Sequence, residues 1–172
     1  TRSQNPYVLA LRNDGISSPA IQVSSAARNI RKVGLITGYD PPGVYLLDPD
    51  TNTVSGPILS DQINPSYITC AVITTDGKTG IVAGQDPAFS GRRGNLYFID
   101  LSDLSAPILL GTANVDFEPH HLCLTPDGKF GIVTGYYYVQ GWGDPSGEFA
   151  PFRVSSRALS PKIDTGEYGA SF

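Results

Sequence analysis

Gly131-Ile132-Val133-Thr134-Gly135 is the stretch that decides the fold, because the chain says it three times. Gly34-Leu35-Ile36-Thr37-Gly38 and Gly80-Ile81-Val82-Ala83-Gly84 precede it, at spacings of 46 and 51 residues. A recurring phrase at periods in this range marks a repeat architecture, in which each unit buries its faces against its neighbours. Glu167-Tyr168-Gly169-Ala170-Ser171-Phe172 reads as the opening of a fourth unit, with Gly169 to Phe172 aligned on His121 to Leu124.

Around each phrase the chain has the texture of short strands. The second unit opens with Tyr67 to Ile73, a β-rich run that ends in Thr75-Asp76-Gly77-Lys78. Asp-Gly between two apolar runs is a strong hairpin signal, since both residues accept the positive φ of tight turns. The Gly80 to Gly84 strand returns. After a Gly-, Pro- and Ser-rich connection from Gln85 to Arg93, Asn95 to Asp100 supply a third strand and Pro107 to Leu110 a short fourth. The third unit repeats the plan with His121 to Leu124, the turn Thr125-Pro126-Asp127-Gly128-Lys129, Phe130 to Thr134, and Glu148 to Val154. In the first unit Gly34 to Gly38 lead to Val44 to Asp48, a turn, and a fourth strand at Pro57 to Leu59. Its opening strand is expected near Ile21 to Ser24, and Tyr7 to Leu11 read as a strand of a preceding unit.

Four-stranded antiparallel up-and-down units of this length are the blades of a β-propeller, and an all-β class is expected. The blades fall at about 20–65, 66–115 and 116–166, with partial units at 1–19 and 167–172 of one continuous segment. Thr125-Pro126-Asp127-Gly128-Lys129 followed by Phe-Gly-Ile-Val-Thr-Gly resembles the blade signature of YVTN-type, lactonase-like propellers, and Thr75 to Lys78 match the same place. The resemblance implies a closed ring of more blades than this chain holds. The missing part would come from remaining blades of the same protein or from a second copy of the chain.

Composition bounds the function. The 172 residues include 40% hydrophobic and 16% charged residues, with 19 Gly, 14 Pro, nine Tyr and seven Phe, which suits a globular all-β chain. Formal charge is −4 and the basic residues are scattered, so no phosphate-tracking stripe exists and nucleic acid is not expected as a partner. No apolar run approaches the roughly 18 residues of a membrane span. With Thr1 first and no Met anywhere, the chain reads as a processed form or a fragment. A secreted, periplasmic or surface location is the expectation. Cys70 and Cys123 read as two small buried thiols, or as a bridge if their strands approach closely.

Candidate chemistry gathers at Asp116-Phe117-Glu118-Pro119-His120-His121, which holds the only two histidines. Strand alternation sends neighbouring side chains to opposite faces, so at most one histidine can look inward, with Glu118 or Asp116 near it. The lactonase-like resemblance places such a pair toward the central funnel, where a divalent metal or a general base is chemically reasonable. It favours His121 with Glu118. Tyr136-Tyr137-Tyr138, with Trp142, lie in a long Gly-rich connection and form a candidate platform for a protein or carbohydrate ligand. Asp48-Pro49-Asp50-Thr51-Asn52 opens like a calcium loop but lacks the later Gly and Glu, so it reads as a plain turn. Gly91-Arg92-Arg93-Gly94 reads as a flexible basic loop. No complete catalytic set is present, and a binding scaffold is favoured over a lactonase-like enzyme.

Overall fold

A computed structural model describes residues 7–8, 11–12, 21–22, 33–39, 42–63, 65, 67–86, 93–137 and 146–165. These residues are strands and turns without a helix, and none of them forms a helix long and apolar enough to cross a membrane. The strands are β1 (Tyr7–Val8), β2 (Leu11–Arg12), β3 (Ile21–Gln22), β4 (Gly34–Tyr39), β5 (Pro42–Asp48), β6 (Thr53–Ser55), β7 (Tyr67–Ile73), β8 (Thr79–Gln85), β9 (Gly94–Asp100), β10 (Ile108–Val115), β11 (Glu118–Leu124), β12 (Phe130–Tyr137), β13 (Ser146–Arg153), β14 (Ala158–Leu159) and β15 (Ile163–Asp164).

The sheets are three blades and a small pair. β7, β8, β9 and β10 follow one another across an antiparallel sheet, and β11, β12 and β13 do the same, with β14 and β15 both on the outer side of β13. β4, β5 and β6 form the first blade's antiparallel part. This up-and-down order, repeated in neighbouring sheets that stack face to face, is that of β-propeller blades.

Turn chemistry sets the hairpins. The Thr74 hydroxyl donates to Asp76 Oδ1 at 2.6 Å, the Lys78 amide donates to the same oxygen at 3.1 Å, and the Thr79 amide donates to Thr74 Oγ1 at 3.0 Å. Thr125, Asp127, Lys129 and Phe130 repeat this set at 2.6, 3.1 and 3.2 Å. The glycine of each turn has positive φ, 72° at Gly77 and 67° at Gly128, where a Cβ would be strained. The Thr125 hydroxyl and then the Lys129 amide hold the Asp127 carboxyl below its ordinary range, because both favour the anion.

Two apolar clusters glue the blades. Leu35, Val44 and Leu46 of the first blade meet Ile68, Ala71, Ile73, Val82, Tyr97 and Ile99 of the second. On the second blade's other face, Val72, Ile81, Ala83, Leu96 and Phe98 meet Phe117, Val133, Ala150 and Phe152. The second blade is therefore buried on both faces, and β8 reads as a continuous apolar run. In the third blade burial alternates: along β12 Val133 is buried while Phe130 and Ile132 are exposed.

Several elements depart from expectation. The first blade's fourth strand is Thr53–Ser55, because Asp48 Oδ1 accepts the Asp50 and Thr51 amides and Asn52 takes φ 54°, reversing the chain at once. Pro57 to Leu59 come after the ladder, where Pro cannot donate. Ile21–Gln22 pairs with Tyr7–Val8, and Leu11–Arg12 lies beside β4 in parallel, so the first blade's innermost place is not filled by the Ile21 strand. The second blade's fourth strand runs on to Val115, carried by Ala113 and Val115 packing toward the third blade. The outer strand of the third blade is broken around Ser160, whose amide donates to Pro151 O at 2.8 Å. Cys123 is exposed and not a buried thiol, since it lies on the open face of the third blade, while Cys70 is half-buried; the two do not form a disulfide. The expected fourth-unit opening at 167–172 lies outside the described residues.

Candidate functional site

The Asp116 to His121 segment sits at the edge of the blades from which the β8–β9 and β12–β13 connections leave. Here β11 carries a bulge: Pro119 pairs with Gly135 and His121 with Thr134, leaving His120 as the extra residue. A bulge re-aims the side chain it carries. His120, not His121, therefore joins Glu118: His120 Nε2 stands 3.4 Å from Glu118 Oε1. Glu118 lies directly opposite Tyr136 across the ladder. The Tyr136 ring meets the His120 ring edge-on, 5.0 Å between centroids at 68°. His121 is exposed, its ring 6.5 Å from that of His120. Asp116 turns away to Arg93, whose Nε is 3.7 Å from Asp116 Oδ1.

The close approach behind this cluster depends on one glycine. A methyl group at Gly135 would run into the carbonyl of Glu118 and lie 2.9 Å from the Phe117 ring. The register gives the second blade's equivalents: Tyr67 for Glu118, Thr69 for His120 and Gln85 for Tyr136. Thr69 and Gln85 are both buried. At the places of His120 and Tyr136 the third blade thus carries an imidazole and a phenol ring where its neighbour carries the covered polar side chains of Thr69 and Gln85.

Tyr136 and Tyr137 belong to strand β12 and not to a loop, because β12 stays paired as far as Tyr137 opposite Ser146. They point to opposite faces. Lys162 Nζ lies 4.6 Å above the Tyr137 ring and 3.1 Å from Glu148 Oε1. The Glu148 side chain is only 3% exposed, against 40% for Lys162. Tyr138 and Trp142 lie outside the described residues. Glu148 and Lys162 were not legible as a pair: a charged residue between Gly147 and Phe149 in a strand was the one local signal, and nothing in the sequence points to Lys162.

Burial alone raises the proton affinity of Glu118 above its ordinary value of 4.5. A carboxyl whose folded pKa is raised favours folding below its unfolded pKa, and that contribution is lost as pH rises through the raised value. Glu118→Gln is therefore expected to raise the melting temperature at pH 7 and leave it unchanged at pH 4. An unchanged difference between those two pH values would show that Glu118 is as solvated as in the unfolded chain.

Lys162→Met should cost on the order of 2–3 kcal/mol, because it leaves a buried carboxylate without its cation. Adding Glu148→Gln should restore part of the loss in a urea melt. Full additivity of the two substitutions would deny the pair.

The chemistry available at this place is a carboxyl group and an imidazole 3.4 Å apart, with the Tyr136 ring packed against the imidazole. No third His, Cys, Asp or Glu joins them to form a metal-holding group among the described residues.

No protein-family model and no curated protein matches the chain. Among solved structures it is similar to a eukaryotic initiation factor, at 12% identity over 77% of this chain and 29% of that one, with a TM-score of 0.49. A hypothetical selenium-binding protein from Sulfolobus tokodaii is similar at 16% identity, over 73% of this chain and 36% of that one, with a TM-score of 0.49. TolB from Acinetobacter baumannii is similar at 13% identity, over 96% of this chain and 44% of that one, with a TM-score of 0.44. The chain spans less than half the length of each of these three structures, and the blade assignment rests on its own strand order and register.

Proposed function

We propose that this chain is a blade segment of a YVTN-type propeller in a secreted, periplasmic or cell-surface protein, acting as a ligand- or protein-binding scaffold. Its binding site is the Glu118, His120 and Tyr136 cluster. The observation that supports this reading is the His120 ring held between the Tyr136 ring at 5.0 Å and the Glu118 carboxylate at 3.4 Å, on strands and not on a loop. An aromatic wall beside hydrogen-bonding groups suits a carbohydrate or a polar peptide side chain. Rigid strands hold such a site at low entropic cost.

An oligosaccharide array tests the reading. Wild-type protein is expected to bind at least one glycan, and His120→Ala and Tyr136→Ala should each weaken it about tenfold or more, as the loss of a central contact does. Equal binding by all three proteins would move the site elsewhere. Recovery of the full-length protein from the culture medium or periplasm would support the location, and recovery only from the cytosol would reject it.

A second reading is a lactonase-like hydrolase, which the Glu118–His120 couple favours because a carboxyl of raised proton affinity beside an imidazole suits acid–base work. A pH-stat assay with a simple δ-lactone decides it. Turnover abolished by His120→Ala supports the enzyme; wild-type turnover equal to buffer alone removes it.

A further inference from the structure

Glu148 is a buried carboxylate with only one of its oxygens paired. Oε1 lies 3.1 Å from Lys162 Nζ, and the side chain is 3% exposed. Oε2 is shielded from water and has no hydrogen-bond partner among the described residues. A charged oxygen left in that state is costly, so the place favours a further donor.

Ladder register shows what the second blade puts at the same place. Asn95 and Glu148 are equivalent, opposite Gly84 and Gly135, which makes Asn114 equivalent to Asp164, Tyr97 to Ala150 and Asp86 to Tyr137. Asn95 is well supplied: Asn114 Nδ2 donates to its Oδ1 at 3.3 Å, its own Nδ2 donates to Asp86 Oδ2 at 3.4 Å, and Tyr97 hydrogen-bonds to it as well. In the third blade a carboxylate replaces the Asn114 amide, a methyl group replaces the Tyr97 phenol, and an aromatic ring replaces Asp86. A closed amide network has become an acid beside a ring.

Acid and ring together have the chemistry of a cation site, and Lys162 fills part of it. Its Nζ meets Oε1 and stands 4.6 Å from the centroid of the Tyr137 ring. An ammonium is a point charge and leaves Oε2 unmet. A guanidinium presents parallel N–H groups that meet both oxygens of a carboxylate, and its plane stacks on an aromatic face. Lys162 comes from the stretch between β14 and β15, outside the ladder, and is 40% exposed, so it can withdraw without breaking a strand pair. Tyr137 packs against the cluster shared with the second blade, whereas Tyr136 points to the opposite face, so this corner is separate from Glu118 and His120.

We propose that Glu148 and Tyr137 form a binding site for a guanidinium group, the side chain of an arginine in a partner peptide, and that Lys162 is the tethered cation that closes the site until that group displaces it.

N-acetylarginine amide is the probe, titrated calorimetrically into the full chain, with N-acetylcitrulline amide as its neutral isostere. Lys162→Met is expected to bind the arginine compound about tenfold or more tighter than wild type, because the open site no longer has to be won from Lys162. Adding Glu148→Gln should abolish that binding, and the citrulline compound should bind none of the three proteins. Equal affinity in wild type and Lys162→Met, binding that survives Glu148→Gln, equal binding of the citrulline compound, or no binding by folded Lys162→Met each overturns the site. Lys162→Arg tests the same geometry without a free ligand and decides the matter if Lys162→Met does not fold. A guanidinium that covers both oxygens should raise the melting temperature by about 2 °C or more. A melting temperature at or below that of wild type means that the corner does not accept a guanidinium, and overturns the proposal.

Discussion

Gly135→Ala should destabilise the chain by about 3 kcal/mol or more, at the upper end of what overpacking costs. The added methyl group has nowhere to go: the Glu118 carbonyl occupies its place, and the Phe117 ring lies 2.9 Å away. Neither neighbour is the free end of a flexible side chain. Relief requires the β11 and β12 backbones to separate, and they are paired at Glu118 with Tyr136 and at Pro119 with Gly135. Separation also moves His120 relative to Tyr136, so ligand binding should fall beyond the stability loss. A urea titration, with the variant's midpoint within about 0.3 M of wild type, would show that the strands are not so close; the slope that relates midpoint to energy is about 1–3 kcal/mol per molar.

Phe98→Ala is expected to cost on the order of 3–5 kcal/mol, the usual range for an aromatic side chain removed from a core. Phe98 is fully buried on the second blade and meets Phe152 of the third edge-on, with centroids 5.9 Å apart at 78°. The loss therefore falls on the joint between two blades, and the favourable ring geometry, worth about 0.5–1.5 kcal/mol, goes with it. A denaturation midpoint that falls at unchanged slope is the expected signature. A loss under about 1 kcal/mol would mean that the two sheets do not share a core.

What the sequence made legible was local. Thr74 to Thr79 and Thr125 to Phe130 announce their turns through residues within hydrogen-bonding reach of one another, and both hairpins form as read. Strand ends set by distant packing were not legible: nothing in Gly111-Thr112-Ala113-Asn114 suggests a strand until Ala113 is seen against the third blade. Which of the two histidines stands beside Glu118 was not legible either. A one-residue bulge after Pro119 shifts the parity of the strand, and parity decides which side chain meets Glu118. Tyr136 and Tyr137 look like loop residues because Gly and aromatics surround them, yet the ladder with β13 carries them as strand.

The two-sided burial of the second blade bears on how the chain comes apart. The first and third blades each share an apolar cluster with the second, so cooperativity passes from sheet to sheet, as in a linear array. A blade covered on both faces can open only after a neighbour has left it. Amides of β8 and β9 should then be the slowest to exchange, and loosening should begin at the first and third blades. The candidate site stands on the third blade, beside the doubly covered sheet and not within it.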